Sequence, residues 1–327
     1  MRDFRHPDWL TSLIEQRCVL ALMGPTASGK SALSMALAEE LPVELISVDS
    51  ALIYEGMDIG TAKPSEQERT QVAHHLVDIL PPTQSYSVSE FLEDASQSIA
   101  HIWANGRLPV LVGGTMMYFH ALQNGLADLP EADPSLRRSL HQAWQKDPQG
   151  QHARLMVVDP AAAARIHVND AQRLIRALEV YELTGTPLSV HQQNARNQAC
   201  DAWKLVKVGL IPSDRKRLHQ VIEQRFDQML EAGFVKETEH LFAQPGLHAD
   251  LPAIRSVGYR QAWAYWQGEI DYETFVAKAK TATRQLAKRQ LTWLRKESDL
   301  LTLDPFEQSL SEQVAQTLAH LEQRCDA

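Results

Sequence analysis

The stretch CVLALMGPTASGKSALSMALAEEL, Cys18–Leu41, decides the fold of this chain. Residues 18–23 form a short, unbroken apolar run, the pattern of a strand buried on both faces. GPTASGKS (24–31) follows as a glycine-bearing turn, after which Leu33, Leu37 and Leu41 recur four apart, as on one face of a helix. The turn matches G-x-x-x-x-G-K-[ST] in full, in the strand–turn–helix setting that such a loop requires. The spacing has a mechanical reason. Glycines let successive N–H groups curl inward onto phosphate oxygens, and the helix that follows adds its positive end. Gly24, Pro25, Thr26, Ala27, Ser28, Gly29, Lys30 and Ser31 are therefore the expected phosphate cradle. Lys30 is placed to reach phosphate oxygens, and the Ser31 hydroxyl suits Mg²⁺ as a ligand.

Further apolar runs follow at VELISVDS (43–50), LPVLVGGT (108–115) and LVKVGLIP (205–212), with a helix-like segment at 88–104. Strands separated by helices imply a parallel sheet with right-handed crossovers. Ligands of such sheets bind beyond the carboxyl ends of the strands, where the cradle, Asp49-Ser50 and Gly113-Gly114-Thr115 all fall. Near residue 125 the texture changes. ADLPEADPSLRRSL (127–140) reads as a loop entering a helix, and helical patterning with almost no β-rich run continues to about residue 200. The expected architecture is α/β: a P-loop NTPase-like parallel-sheet core, residues 1–125 and 200–327, with a mostly helical insertion domain at 126–199. Residues 213–296 read as amphipathic helix, followed by a short tail helix.

The 327 residues are 44% hydrophobic and 22% charged, which excludes wholesale disorder. No apolar run approaches the roughly 18 residues of a membrane span. MRDFRHPDWL at the start carries charges and a proline where a signal peptide is apolar, so a cytoplasmic location is expected. Cys18, Cys200 and Cys325 have no metal-ligand spacing and read as reduced thiols. A net charge of −9 argues against indiscriminate polyanion binding but leaves room for a local basic groove.

A nucleotide-hydrolysing motor needs an acidic residue at the end of a further strand to hold Mg²⁺. Here the third strand ends LVGGT, and the available carboxylate is Asp49, at the end of the second. The cradle thus suits a diphosphate that leaves as well as a triphosphate that is cut. Asp49 reads equally as a helix N-cap or as a group acting on a bound nucleophile. The long Gly- and Pro-containing loop that follows it to residue 65 is unusual for a simple strand-to-helix connection.

Taken together, GPTASGKS (24–31), DSALIYEGMDIGTAKPS (49–65), LVGGTMMYFHAL (111–122), RIHVNDAQRLIRALEVYELTG (165–185), IRSVGYRQAW (254–263) and TRQLAKRQLTWLRK (283–296) closely resemble the tRNA dimethylallyltransferases, or tRNA isopentenyltransferases, from about residue 18 to 296. The resemblance implies transfer of a dimethylallyl group from dimethylallyl diphosphate to the exocyclic N6 of an adenosine adjacent to the tRNA anticodon, with release of diphosphate and help from Mg²⁺. It implies that Asp49 is the base, that Thr26 contacts the diphosphate bridge and that Arg225, in EQRFDQM, helps hold the diphosphate. On the residues alone Thr26 could offer only its backbone, and Arg225 reads as an ordinary solvated helix arginine. Eukaryotic members carry a C-terminal zinc finger. This chain has no Cys/His spacing for one after residue 296, so the bacterial type fits.

From 276 to 297, Lys278, Lys280, Arg284, Lys288, Arg289, Arg295 and Lys296 stand against Glu297 alone, a local +6. Such a run can be a solvated helix face, but with the basic residues Arg165, Arg173 and Arg176 of the insertion it could also grip an RNA stem-loop through its phosphates. By resemblance, RNA contacts fall on Asp49, Ser50, Ala51 and Leu52; on Thr115 and Arg137; on Gln172, Arg173, Leu174, Ile175 and Arg176; on Arg255, Ser256, Val257, Gly258, Tyr259 and Arg260; and on Lys288, Arg289, Gln290, Leu291, Thr292, Trp293, Leu294 and Arg295. Gly113-Gly114 would let the RNA approach closely. The expected partners are tRNA, through its anticodon stem-loop, and dimethylallyl diphosphate, with no membrane, and nothing demands more than a monomer. The alternatives are a P-loop kinase of a small hydroxyl substrate, which would turn over ATP, and an isopentenyltransferase of free adenine nucleotides. A non-catalytic RNA-binding module would have no use for the cradle with Asp49 beside it.

Overall fold

The computed structural model of the chain describes residues 8–127, 129–197 and 203–324, so Cys200 and Cys325 lie outside the described residues. The chain divides into two compact units, Met1–Phe119 with Ala202–Ala327, and His120–Asp201. The first is built on one sheet of six parallel strands: β1 (Cys18–Met23), β2 (Val43–Val48), β3 (His74–His75), β4 (Leu108–Gly113), β5 (Lys204–Leu210) and β6 (Leu300–Leu303), in the order β3-β2-β4-β1-β5-β6. Every residue of β1 and β2 is buried, as the unbroken apolar runs require. The crossovers are helical: Lys30–Glu40 packs Leu33 and Leu37 into the sheet core, and Val88–Ala104 buries Phe91, Ala95, Ile99 and Ile102. No helix among the described residues is long and apolar enough to cross a membrane.

Two strands go beyond the sequence expectation. β3 is two residues long, too short for any apolar pattern, and its His75 Nε2 lies 2.7 Å from the buried Glu44 Oε2 of β2. β6 is a four-residue edge strand between a charged turn and the tail helix Leu310–Gln323.

The long loop after β2 has its own core. Ile53, Tyr54 and Met57 are buried against Phe226, Phe234, Tyr259 and Phe275, with the Phe234 and Tyr259 rings edge to face at 5.2 Å. No helix forms between Asp49 and Glu66, so the backbone polar groups of this loop need other partners. Glu237, on the Phe234–Phe242 helix, supplies them. Its carboxylate accepts the N–H groups of Asp58 (3.0 Å), Ile59 (2.6 Å) and Gly60 (3.2 Å), and the Tyr259 hydroxyl at 2.6 Å. A side chain on Gly60 would collide with the Phe234 and Tyr259 rings. Lys63 pins the far end, donating to the Tyr54 carbonyl at 2.8 Å and to Asp58 at 2.6 Å, and pairing with Asp78.

In the second unit three Asp-Pro pairs begin helices: Pro134–Lys146, Pro148–Val158 and Pro160–Ala163. Each Asp carboxylate caps the N–H groups of the first turn, and each Pro fills a position whose N–H would be unpaired in any case. With Ala171–Thr184 and Leu188–Asn197 they enclose a core of Leu140, Leu155, Leu174, Leu178 and Val180. Within that core lies Glu179, fully buried, its Oε2 accepting from Arg137 at 2.7 Å and Arg176 at 2.8 Å. Burial pushes the Glu179 carboxyl up, but the hydrogen bonds and charges of the two guanidinium groups outweigh it, leaving the group below its ordinary value.

Two outcomes are expected. A depressed carboxyl contributes stability that is complete above its unfolded value of about 4.3 and is lost as pH falls through the folded value. Urea unfolding of the wild type should therefore weaken in that acid range. Glu179→Gln should blunt this acid sensitivity and cost roughly 1–3 kcal/mol at pH 7, below the fully buried range because both arginines reach solvent. Glu237→Ala should orphan the loop N–H groups, costing roughly 2 kcal/mol and speeding amide exchange at Asp58–Gly60 by about tenfold or more. Unchanged protection there would remove Glu237 as the clamp.

Candidate active site at the strand ends

The register of the sheet builds the site. Met23 of β1 and Val48 of β2 both pair with Gly113 of β4, so Gly24, Asp49 and Gly114, the next residues, leave three adjacent strands at one level. Gly113 is needed for that pairing, because a Cβ there would run into the Val48 carbonyl.

From Gly24 the chain curls through the cradle. Ala27 (φ 63°) and Gly29 (φ 87°) take left-handed conformations, turning backbone N–H groups inward before the Lys30–Glu40 helix begins. An alanine at positive φ is uncommon and marks the strain that such loops carry. The Ser28 hydroxyl is buried and has no hydrogen-bond partner among the described residues, a polar atom suited to a ligand oxygen. Lys30 Nζ folds back to donate to the loop's own carbonyls, Gly24 at 2.9 Å and Pro25 at 2.7 Å. Ser31 is exposed on the first turn of the helix.

Asp49 caps no helix. Its Oδ1 accepts the Ala51 N–H at 2.9 Å, which turns the chain sharply after β2 and leaves the carboxylate half-buried beside the cradle. Burial raises its pKa, opposed by the hydrogen bonds from Ala51 and Leu52 and by the charges of Lys30 and Arg225. Lys30 is lowered to about 8, by burial first, with Asp49 opposing and Arg225 adding to the shift. Arg225 is also lowered by burial and partly restored by Asp49. Arg225 is thus half-buried and shares the electrostatic field of Asp49 and Lys30, rather than being a solvated helix arginine. Thr115 joins them: its Oγ1 accepts the Ser50 N–H at 3.1 Å, and its own N–H donates to the Val48 carbonyl at 3.1 Å. Tyr118, buried and stacked on Phe91 at 4.0 Å, has its hydroxyl pKa raised by burial, with Tyr54 and Asp49 adding to the shift.

The remaining candidates divide by exposure. On the Tyr272–Leu294 helix and its end, Lys288, Arg289, Thr292 and Arg295 are exposed and Trp293 is half-buried, whereas Gln290, Leu291 and Leu294 turn inward. Leu291 and Leu294 are core side chains, so they hold the helix rather than reach a ligand. Lys280 pairs with Asp227 at 2.6 Å and Arg284 with Glu223, which neutralises two of the seven basic residues. Lys278, Lys288, Arg289, Arg295 and Lys296 make no ion pair among the described residues, and the last four of these gather at the helix's far end. Arg255 and Arg260 are exposed, Ser256 and Val257 half-buried and Gly258 buried, while Tyr259 is buried and spends its hydroxyl on Glu237. In the helical unit Gln172 and Arg173 are exposed, Leu174 and Ile175 belong to the core, and Arg137 and Arg176 are held on Glu179.

The Gly113-Gly114 pair admits close contacts within the protein: the Val48 carbonyl at Gly113 and the Gln290 amide at Gly114. Glu237 is not among the expected site residues and Gln290 is expected only as an RNA contact, because each acts on residues far away in the chain. The doubled glycine was the one local signal that something packs there.

Comparison with known proteins agrees with this geometry. A model of the family described as IPP transferase matches residues 52–297. The chain is 60% identical over 312 residues to a protein of Hydrogenovibrio crunogenus named tRNA dimethylallyltransferase, covering 95% of this chain and 96% of that one. It is 53% identical to a protein of the same name from Thioalkalivibrio sulfidiphilus, covering 92% and 94%. Among solved structures it is similar to a tRNA isopentenylpyrophosphate transferase of Bacillus halodurans, with 35% identity, a TM-score of 0.69 and coverage of 95% and 98%. It is also similar to a eukaryotic dimethylallyltransferase described as acting on tRNA, with 26% identity, a TM-score of 0.77 and coverage of 93% and 78%. With a family match across three quarters of its length and a relative 60% identical over 95% of it, the chain belongs to the IPP transferase family.

Proposed function

We propose that this protein transfers a dimethylallyl group from dimethylallyl diphosphate to N6 of the adenosine 3′ to the tRNA anticodon, releasing diphosphate. The observation that carries the reading is the shared level of the cradle and Asp49, which sets a leaving-group site beside a base. The names of the close relatives support the same reaction.

In this reading the backbone N–H groups of the cradle and the Ser28 hydroxyl bind the diphosphate. Lys30 exchanges its two loop carbonyls for phosphate oxygens, and Arg225 adds a second positive charge. Thr26 lies at the diphosphate bridge. The bond from the prenyl carbon to the diphosphate oxygen breaks, its electron pair leaves on that oxygen, and a bond forms from N6 to the carbon. Asp49 takes the N6 proton as that bond forms. Donors fixed in advance around the leaving oxygen stabilise the charge that develops there.

The donors present fit Mg²⁺. Among the described residues no cluster of three His, Cys, Asp or Glu could hold a metal alone, and Mg²⁺ characteristically takes one or two protein oxygens, here the Ser31 hydroxyl, together with substrate phosphates and water. When bound it neutralises charge on the departing diphosphate. The tRNA is held through phosphates by the exposed Lys288, Arg289 and Arg295. Its target base must leave the stack, at a cost of about a few kcal/mol, least in a loop. The protein acts as a cytoplasmic monomer.

The deciding experiment incubates the protein with Mg²⁺, dimethylallyl diphosphate and unmodified tRNA, then weighs the digested nucleosides. An adenosine heavier by C₅H₈ is expected. ATP consumed with a small acceptor, and no mass shift, would give the site to a kinase. Asp49→Ala should slow turnover by about 10²–10⁴-fold, far more than it weakens tRNA binding, and wild-type turnover should fall as pH drops through the raised Asp49 value. Unchanged turnover removes Asp49 as base. Lys288→Ala with Arg289→Ala should weaken tRNA binding and reduce its salt slope by about 1–2, and an unaltered slope would return the helix end to a solvated face.

A further inference from the structure

The Tyr272–Leu294 helix presents basic side chains outward, yet Gln290, between Arg289 and Leu291, is only 7% exposed. Both ends of its amide are used. Oε1 accepts the Thr26 N–H at 2.9 Å, and Nε2 donates to the Gly114 carbonyl at 2.9 Å. The two bonds reach different parts of the site. Thr26 is the third residue of the cradle. Gly114 leads into Thr115, whose Oγ1 accepts the N–H of Ser50, the residue after Asp49.

The chemistry selects the side chain. One partner is a donor and the other an acceptor, so the linking group must accept at one atom and donate at its neighbour, as a primary amide does. A carboxylate of the same size would still accept from Thr26 but would set an oxygen against the Gly114 carbonyl. Space selects Gly114 in turn, since a Cβ there would run into Nε2.

We propose that Gln290 is a positioning residue of the active site, one that holds the cradle at Thr26 in register with the segment carrying Asp49, and is not an RNA contact. The inference rests on the diphosphate reading above. It divides the helix by function: Lys288 and Arg289 face the polyanion, and Gln290 between that face and the core builds the leaving-group site.

Gln290→Glu and Gln290→Ala, in the full chain, test it. Each is titrated calorimetrically with inorganic diphosphate and Mg²⁺, separately with an anticodon stem-loop RNA, and KM is measured for both substrates. Diphosphate affinity and the KM for the prenyl diphosphate should worsen by about tenfold in both variants, as expected for losing a buried hydrogen bond and stranding its partner. RNA affinity should stay within about twofold, and the melting curve should stay cooperative. If Gln290→Glu fails to fold, Gln290→Ala decides. Weakened RNA binding with diphosphate binding intact would make Gln290 an RNA contact and overturn the proposal, as would no change in either. If the wild type itself takes up no diphosphate, the proposed function falls and this inference with it; a wild type that binds beside an unchanged variant sinks this inference alone.

Discussion

Everything in the catalytic unit depends on one level of the sheet, where Gly113 is paired with Met23 on one side and Val48 on the other. Parallel strands in register deliver their next residues side by side, so the glycine-bearing 24–31 turn, the Asp49 carboxylate and the Gly113-Gly114 turn emerge together without any loop having to search for another. A slip of one residue would send Asp49 to the opposite face, because side chains alternate along a strand. Strands buried on both faces carry no alternating pattern to oppose that slip, so the register rests on positional fits such as Gly113, whose missing Cβ admits the Val48 carbonyl.

Where regular structure stops, single polar side chains substitute for it. Glu237 acts as the missing ladder for the 58–60 turn, Lys63 ties its far end, and Gln290 splices the cradle to the end of β4. Glu179 does similar work in the helical unit, where it fixes two arginines that would otherwise be long, mobile chains. Glu237, Lys63 and Gln290 each convert a conformational choice into paired donors and acceptors, whereas Glu179 pairs through Oε2 alone; removing half of any such set is costly.

How far the residues alone reveal this follows from how local each determinant is. β1, β2, β4 and β5 were legible because a doubly covered parallel strand must be an apolar run, and the cradle because its glycines and Lys30 lie within eight consecutive positions. β3 was not legible, since its two histidines owe their place to Glu44 on the neighbouring strand. Arg225 looked like any helix arginine, because the direction in which the 215–231 helix presents it depends on packing and not on periodicity. Glu237 and Gln290 reach residues 179 and 264 positions away, and no window of sequence contains both ends of either contact. In the stretches where the resemblance implies RNA contacts, packing separates outward polar and basic side chains from inward supports such as Leu174 and Leu294.

The strand order also has a consequence for how the chain comes together. β1 is central, flanked by β4 and by β5, and the entire helical unit is synthesised between those two neighbours. β1, β2 and β4 can therefore assemble early, leaving one flank of the most apolar strand without its partner until Lys204–Leu210 emerges. An open, flat, apolar strand edge is a template for pairing with another chain. Loop-closure entropy rises only slowly with length, so the delay is more kinetic than thermodynamic. Three of the intervening helices are started by their own Asp-Pro caps, local signals that need no contact with the sheet, so they can form while that edge still waits for its partner.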